Sequence, residues 1–146
     1  KEDIVEIPGD LRAGCPVFFQ AGATGSTINA TQLIPYNNVL NNKGGGYNPS
    51  TRLFTAPIAG FYHFSFYYMS HNSSTEGVFT LNGTYVKAGG TPIRIHGNVG
   101  GSHSTVSPSL NVYMNASDTM GITLTVGNMY MSTSQYAGFN GFYLSS

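Results

Sequence analysis

The chain has 146 residues, of which 40% are hydrophobic and only 8% are charged, and its formal net charge is zero. This length suits one domain that can bury a core without disulfide support. The few basic residues are dispersed, which argues against the clustered basic face of a nucleic-acid-binding protein. The sequence contains no run of about 18 apolar residues, so it does not predict a membrane-spanning helix.

The N-terminal segment differs in charge from the rest of the chain. Residues 1–14 form an acidic leader, and we expect a single globular domain over residues 15–146. Cys15 is the only cysteine, which excludes an internal disulfide framework. Its thiol could be buried, or it could form an interchain disulfide that joins subunits into a higher oligomer.

Strand signals recur along the chain, whereas the apolar periodicity of a helix is absent. The predicted strands, in chain order, are 17–20, 33–40 around Pro35, 53–56, 60–69, 78–81, 84–87, 109–114, a strand with Ile122, Leu124 and Val126 on one face, and 137–144. Short strands at this spacing indicate an all-β antiparallel sandwich or jelly roll with no significant helix.

Turn signals separate several of these strands. Asn82-Gly83 predicts a type I′ hairpin, because both residues tolerate a positive φ angle. Residues 115–118 predict a tight turn. The stretches 89–104 and 127–138 are rich in polar residues and glycine, and we predict that they form loops.

The strand over residues 60–69 is apolar on both of its alternating faces. One face carries Tyr62, Phe64, Phe66 and Tyr68, which we assign to the core. The other face should pack against a neighbouring subunit. We assign to that subunit interface Phe61, His63 and Tyr67, together with Phe142 from the C-terminal strand.

Catalytic motifs are missing from the sequence, so we predict a protein that is not an enzyme. The only carboxylates after residue 10 are Glu76 and Asp118, each assigned to a separate turn. Calcium prefers oxygen ligands, usually carboxylates. These two residues are therefore weak metal candidates, no cofactor is required, and calcium binding is a minority interpretation.

The polar loops favour carbohydrate binding, because sugar hydroxyls pair with polar side chains and sugar C–H faces lie on aromatic rings. Arg94 has the planar guanidinium suited to the carboxylate of an acidic sugar. The candidate ligand-binding residues are His71, Asn72, Arg94, His96, His103, Tyr130 and Tyr136. We predict that the three histidines among them lie in loops. The alternative is that these loops are only solvent-compatible connections.

Asn-x-Ser/Thr sequons indicate an extracellular glycoprotein. Four occur in this short chain, at Asn29, Asn72, Asn82 and Asn115. The last three should be exposed, because they lie in a hairpin turn or in predicted loops. Chance is the alternative explanation, since Asn, Ser and Thr are all abundant.

Several spaced motifs resemble the signature of the complement C1q globular-head family. The resemblance runs from about residue 16 to residue 144, and Ser117 stands where the family usually has Gly. The matching residues of the central motif are Tyr47, Phe54, Thr55, Ala56, Pro57, Gly60, Tyr62 and Phe64, and those of the C-terminal motif are Phe139, Gly141, Phe142 and Leu144.

This resemblance implies a C1q/TNF-like jelly roll of about ten strands, assembled as a homotrimer of a secreted recognition protein. The favoured function is lectin-like binding of carbohydrate, including acidic sugars or microbial polysaccharide, in innate immunity. One alternative is a calcium- or metal-associated glycoprotein of extracellular fluid, with a role in biomineral formation or metal transport. Another is a cytokine-like ligand of a cell receptor.

Overall fold

The computed structural model describes residues 16–71, 73–97 and 103–146, and the side chains of residues 103 and 104 are not described. The acidic leader and Cys15 therefore lie outside the described residues. Within these ranges the chain forms strands and turns and contains no helix, so it has no helix of the length and apolar character that a membrane span requires.

The described strands are short, and most are joined by tight turns. In chain order they are β1 (Phe18–Gly22), β2 (Ile28–Asn29), β3 (Gln32–Leu33), β4 (Asn38–Lys43), β5 (Tyr47–Asn48), β6 (Leu53–Thr55), β7 (Gly60–His71), β8 (Thr75–Leu81), β9 (Thr84–Tyr85), β10 (Lys87–Ala88), β11 (Thr91–Pro92), β12 (Arg94–Gly97), β13 (His103–Val106), β14 (Ser109–Met114), β15 (Thr119–Val126), β16 (Asn128–Tyr130) and β17 (Gly138–Ser145).

These strands form two large antiparallel sheets. The first sheet has the order β2-β16-β7-β17-β1-β4, with β13 and β14 paired along β7. The second has the order β12-β8-β15-β6-β5, with β3 paired to β15 and β9 to β8. Strands β10 and β11 form a separate two-stranded arm. The predicted antiparallel all-β architecture is confirmed.

The core between the sheets is largely aromatic. Phe19 stacks on Tyr47 and on Phe54 with ring centroids 5.0 Å apart in each pair. Phe139 packs edge to face against Phe19, with their ring centroids 4.8 Å apart. The predicted inner residues of β7 are 0–1% exposed, and they are Tyr62, Phe64, Phe66 and Tyr68. Burial of each such ring contributes about 1.5–3 kcal/mol, so this face of β7 supplies much of the stability.

The predicted strand over residues 33–40 is wrong. Strand β3 pairs with β15 in the second sheet, whereas β4 pairs with β1 in the first. Pro35 lies between them and cannot donate a hydrogen bond to a neighbouring strand. The chain therefore crosses from one sheet to the other at this point.

Val126 departs from the predicted face of β15. Ile122 and Leu124 are buried, as predicted, but Val126 is 43% exposed. The pairing register of β15 with β8 shifts between Leu124 and Val126. Such an irregularity inserts an extra residue and turns the following side chain to the opposite face.

Both predicted turns are confirmed and lie close together. Asn82 and Gly83 have φ angles of 50° and 77°, as a type I′ turn requires. In the second turn, the Asp118 amide donates to the Asn115 carbonyl at 3.0 Å. The Asn82 side chain joins the two turns, since it donates to Asp118 Oδ1 at 3.0 Å and accepts from the Thr119 amide at 2.8 Å.

Candidate functional site

Strand pairing gathers most of the predicted recognition residues at the end of the sandwich where β7 leads into β8. We call this region the β7–β8 end. His71 is the last residue of β7, and β16, which ends at Tyr130, pairs with β7 through Met129 and Ser70. Strand β12 pairs with the start of β8, which brings Arg94 and His96 to the same end.

Three aromatic rings form a row at this end. The His71 and Tyr130 rings stack with centroids 5.2 Å apart, and the Tyr136 ring follows at 5.7 Å from Tyr130. Tyr136 is 40% exposed, so the row reaches the surface. Rings in this arrangement provide an apolar platform with polar edges.

A cluster of charged and polar side chains lies on strands β8 and β12 at the same end of the sandwich. Arg94 Nη1 donates to Glu76 Oε1 at 2.9 Å, and His96 Nδ1 lies 3.7 Å from Glu76 Oε2. The cross-strand register of His96 with Glu76 produces this geometry. The Arg94 side chain is 44% exposed and that of Glu76 is 22% exposed, and a partly exposed pair of this kind contributes about 1 kcal/mol or less.

Several of these residues lie on strands, where loops were predicted. His71 ends β7, His96 lies in β12, and the backbone of His103 in β13 is the register partner of His71. The prediction of loops was wrong because abundant glycine, serine and histidine hid short alternating runs, such as Arg94-Ile95-His96, in which Ile95 is half-buried. The His103 side chain and Asn72 lie outside the described residues.

The two weak metal candidates both have other partners. Glu76 lies in strand β8, where a turn was predicted, and binds Arg94. Asp118 Oδ2 accepts the Asn115 amide at 2.8 Å, while its Oδ1 accepts from Asn82. These hydrogen bonds hold the pKa of Asp118 below its usual value, and the bond from Asn82 has the largest effect. The part of the chain that the structure describes contains no group of three or more His, Cys, Asp or Glu side chains that could hold a metal.

The outer face of the first sheet is rich in exposed rings, and we call it the aromatic face. The Phe61 and Tyr113 rings meet edge to face at 5.2 Å, and the His63 and Phe142 rings lie 5.1 Å apart. The rings that are 37–46% exposed on this face are Phe18, Phe61, Tyr67, Tyr113 and Phe142. An apolar surface of this kind usually marks an interaction site.

All four residues predicted at a subunit interface lie on the aromatic face. The aromatic face also contains Phe18 and Tyr113, which were not among the residues predicted at the interface. The signal for Tyr113 was available, because Leu110, Val112 and Met114 were predicted on the opposite face of the same strand. Phe18 lacks such a signal, since strand β1 is short and its neighbour Phe19 is also aromatic.

Three of the four sequons can be placed in the structure. Asn29 is exposed on strand β2, and Asn82 and Asn115 are exposed in their turns, as predicted for those two. The Asn82 side chain is also a structural link, because it bonds Asp118 and the Thr119 amide. Asn72 is the fourth sequon and lies outside the described residues, so its predicted exposure stays a prediction.

Comparison with known proteins identifies the family. The family model for the C1q domain matches residues 17–144, nearly the whole chain. The chain belongs to the C1q-domain family. This C1q-domain protein is also 42% identical over 53 residues to one of the complement C1q subcomponent subunits from Mus musculus. That match covers 36% of this chain and 21% of the relative, so the chain spans about a fifth of that curated protein.

Solved structures share the fold of this C1q-domain protein. The globular domain of zebrafish complement 1qA protein aligns with a TM-score of 0.64 at 18% identity, over 88% of this chain and 97% of that one. Murine APRIL at pH 5.0 gives 0.67 at 10% identity, over 88% and 98%. Eiger TNF from S. frugiperda gives 0.60 at 11% identity, over 89% and 92%. The common feature is the jelly-roll sandwich, which confirms the predicted fold class.

Proposed function

We propose that this C1q-domain protein is a secreted, lectin-like recognition protein that binds carbohydrate as a homotrimer in innate immunity. The observation that carries the carbohydrate proposal is the row of three rings at the β7–β8 end, formed by His71, Tyr130 and Tyr136. A pyranose has an apolar C–H face and a rim of hydroxyls. The exposed ring of Tyr136 takes the former, and polar side chains at this end of the sandwich take the latter.

Arg94 extends this proposal to acidic sugars and microbial polysaccharides that carry carboxylates. Its guanidinium already binds one carboxylate, that of Glu76, through Nη1 at 2.9 Å, and further N–H groups of a guanidinium can bind a second carboxylate. The Arg94 side chain is 44% exposed, so an acidic sugar can reach the guanidinium while the bond to Glu76 is kept. At the β7–β8 end, neutral sugars would bind the ring row without a contact to Arg94.

A glycan array that carries neutral and acidic glycans tests the proposal. Tyr136→Ala should weaken about tenfold the glycans that bind at the β7–β8 end, because a ring contact is lost, and Arg94→Ala should weaken acidic glycans selectively. Lys87→Ala also removes an exposed positive charge, but on strand β10, and serves as the matched control with unchanged binding. Binding should survive calcium chelation. No signal above background on the array would refute carbohydrate recognition by the ring row at the β7–β8 end.

The aromatic face supports the proposed homotrimer. Domains of the C1q and TNF type generally assemble as trimers, and a second copy would cover rings that a monomer leaves in water. We assign this interface to Phe61, His63, Tyr67 and Phe142, as the sequence predicts, and add Phe18 and Tyr113. Cys15 would join such trimers into larger assemblies if it forms an interchain disulfide.

Sedimentation velocity tests the assembly. Phe142→Asp should weaken self-association at least about a hundredfold, because it buries an unpaired charge in the interface. Val126→Asp is the matched control, since Val126 is similarly exposed but lies on the second sheet. Wild-type protein that sediments as a monomer at micromolar concentration would contradict the trimer, as would equal effects of the two substitutions.

A further inference from the structure

The outer surface of the second sheet contains a groove of about 330 Å³. None of the residues that line it was predicted from the sequence as a functional residue. We call it the threonine groove. It lies on strands β8 and β15, beside the Asn82-Gly83 turn and apart from both the aromatic face and the ring row. The residues that give it its chemistry are Leu33, Leu53, Thr80, Tyr85, Thr119 and Thr123.

A pair of hydroxyls forms the floor of the threonine groove. The Oγ1 atoms of Thr80 and Thr123 lie 2.7 Å apart, and these residues are only 6% and 9% exposed. Thr80 Oγ1 also lies 3.3 Å from the Val78 carbonyl, to which it can donate, and either threonine can be the donor within the pair. In either arrangement the two hydroxyl oxygens keep lone pairs that can accept a further hydrogen bond. The floor therefore suits a ligand that donates hydrogen bonds.

The walls of the groove are apolar and aromatic. Leu33 and Leu53 close over Gly121, where an added Cβ would lie 2.8 Å from a methyl carbon of each leucine. Tyr85 forms another part of the wall and is half-buried. Gly83 keeps the rim open, because a Cβ built there meets nothing within 4 Å. The walls thus offer a ring and two aliphatic side chains to one apolar ligand face.

No residue that lines the groove carries a formal charge at neutral pH. The nearby guanidinium of Arg52 is directed to the Leu33 carbonyl at 2.8 Å and to Gln32 Oε1 at 3.2 Å. The carboxylate of Asp118 is held by the two turns. Lys87 lines a neighbouring depression that shares Gly83 and Tyr85 with the groove. The groove itself offers a charged ligand no charged partner to replace its hydration, which favours a neutral ligand.

We propose that the threonine groove is a binding site for a neutral saccharide. The sugar hydroxyls donate to the Thr80–Thr123 pair, and the C–H face of the ring rests on Tyr85 and the two leucines. The volume of the groove falls at the lower end of the range for small-molecule sites. This site would be separate from the ring row at the β7–β8 end, and its preference for neutral sugars differs from that of Arg94.

Methyl-resolved NMR titration of the intact protein tests this site. The probes are methyl α-mannoside, N-acetylglucosamine and galactose, with sialic acid as the charged comparison. The expected result is that at least one neutral probe causes saturable shifts in the methyl signals of Leu33, Leu53, Thr80 and Thr123, whereas sialic acid does not. Absence of saturable shifts with all three neutral probes would overturn the proposal.

Two variants show whether the groove itself binds the probe. Tyr85→Ala should weaken the neutral probe about tenfold, since it removes the ring platform. The double variant T80V/T123V should have a similar effect while it keeps the fold, because replacing both members of a buried hydrogen-bonded pair is nearly neutral for stability. Unchanged affinity in both variants would also overturn the proposal.

Tyr136→Ala separates this site from the ring row. It should leave the groove shifts and their affinity unchanged, even where it reduces binding on the glycan array. Loss of the groove shifts in Tyr136→Ala would assign the binding to the β7–β8 end and refute a separate site. Failure of the array experiment alone leaves this prediction standing, because the two sites share no residues.

Discussion

The first sheet carries aromatic rings on both of its faces, and the two faces differ in what surrounds those rings. On the inner face, Phe64 lies within 5.5 Å of Phe54 and about 6 Å of Phe139, and it is fully buried. On the outer face, Phe61 meets Tyr113 at 5.2 Å and remains 46% exposed. Residue type is the same on both faces, so the difference lies in burial.

This comparison separates stability from assembly. Rings that are already buried within one copy of the chain contribute to the folding of that copy. Rings that remain exposed contribute free energy only when another molecule covers them. The two faces of strand β7 therefore predict different consequences for similar substitutions, and those consequences can be measured one face at a time.

The largest expected effect is on the inner face. Phe64→Ala should lower the free energy of unfolding by about 3–5 kcal/mol, because it removes a fully buried ring and leaves a cavity. Phe61→Ala is the matched control three residues earlier on the same strand, and it should cost the isolated monomer less than about 1 kcal/mol. Urea denaturation measures both changes.

The two measurements need the Phe142→Asp background, because self-association makes apparent stability depend on protein concentration. In that background each variant is compared as a monomer. Equal losses for Phe61→Ala and Phe64→Ala would break the comparison, since they would mean that the outer ring is as important to the monomer as the inner one.

The second prediction concerns alkaline pH and sharpens the comparison further. Burial raises the pKa of Tyr68 to about 12 from 10.0, and burial also raises the pKa of Tyr36 and Tyr47. Below pH 10 the folded and unfolded states both keep these protons. Above pH 10 the unfolded state loses them first, so stability falls as pH rises through the folded-state pKa, by about 3 kcal/mol for Tyr68.

Urea denaturation on both sides of pH 10 measures this loss. Tyr68→Phe should reduce the alkaline loss, although it should cost about 1 kcal/mol at neutral pH because the hydrogen bond to Thr75 disappears. Tyr113→Phe removes the same hydroxyl group from a ring of the aromatic face and is the matched control for the substitution itself. A Tyr68→Phe profile that parallels wild type would contradict the assignment to the inner face.

The sequence predicted the features that depend on local pattern. Side-chain alternation separated the two faces of β7. The Asn82-Gly83 pair predicted the turn between β8 and β9, and the family motifs predicted the sandwich. The sequence did not predict the crossing at Pro35 or the irregularity before Val126, because each depends on pairing with a strand distant in sequence.

The candidate sites show the same limit. The ring row was predicted as residue types but not as a row, since β16 reaches β7 only through the sheet. The threonine groove gave no signal in the sequence, because its floor joins Thr80 to Thr123 across a strand pair. Threonines are common in strands, and nothing in the local sequence distinguishes a pair that lines a groove.

The smallest expected effect concerns the turn that joins the first sheet to the second between β14 and β15. Ser117 has a φ angle of 77°, a conformation that glycine adopts readily and serine does not. Its amide donates to the Ala56 carbonyl at 2.8 Å, and glycine would keep this bond. Ser117→Gly should therefore raise the free energy of unfolding by about 0.5–1 kcal/mol, once the greater entropy of unfolded glycine is subtracted.

Ala116→Gly is the matched control in the same turn. Ala116 is not among the residues with positive φ, so glycine there brings only the entropic cost and should lower stability by about 0.5–1 kcal/mol. Opposite signs for neighbouring substitutions cannot arise from general loosening of the turn. Because Ser117 belongs to neither the inner rings nor the aromatic face, Ser117→Gly should stabilise the monomer and leave the sedimentation of the assembly unchanged. A change in assembly would mean that the outer face depends on how the two sheets are joined, and the separation between stability and assembly would then fail.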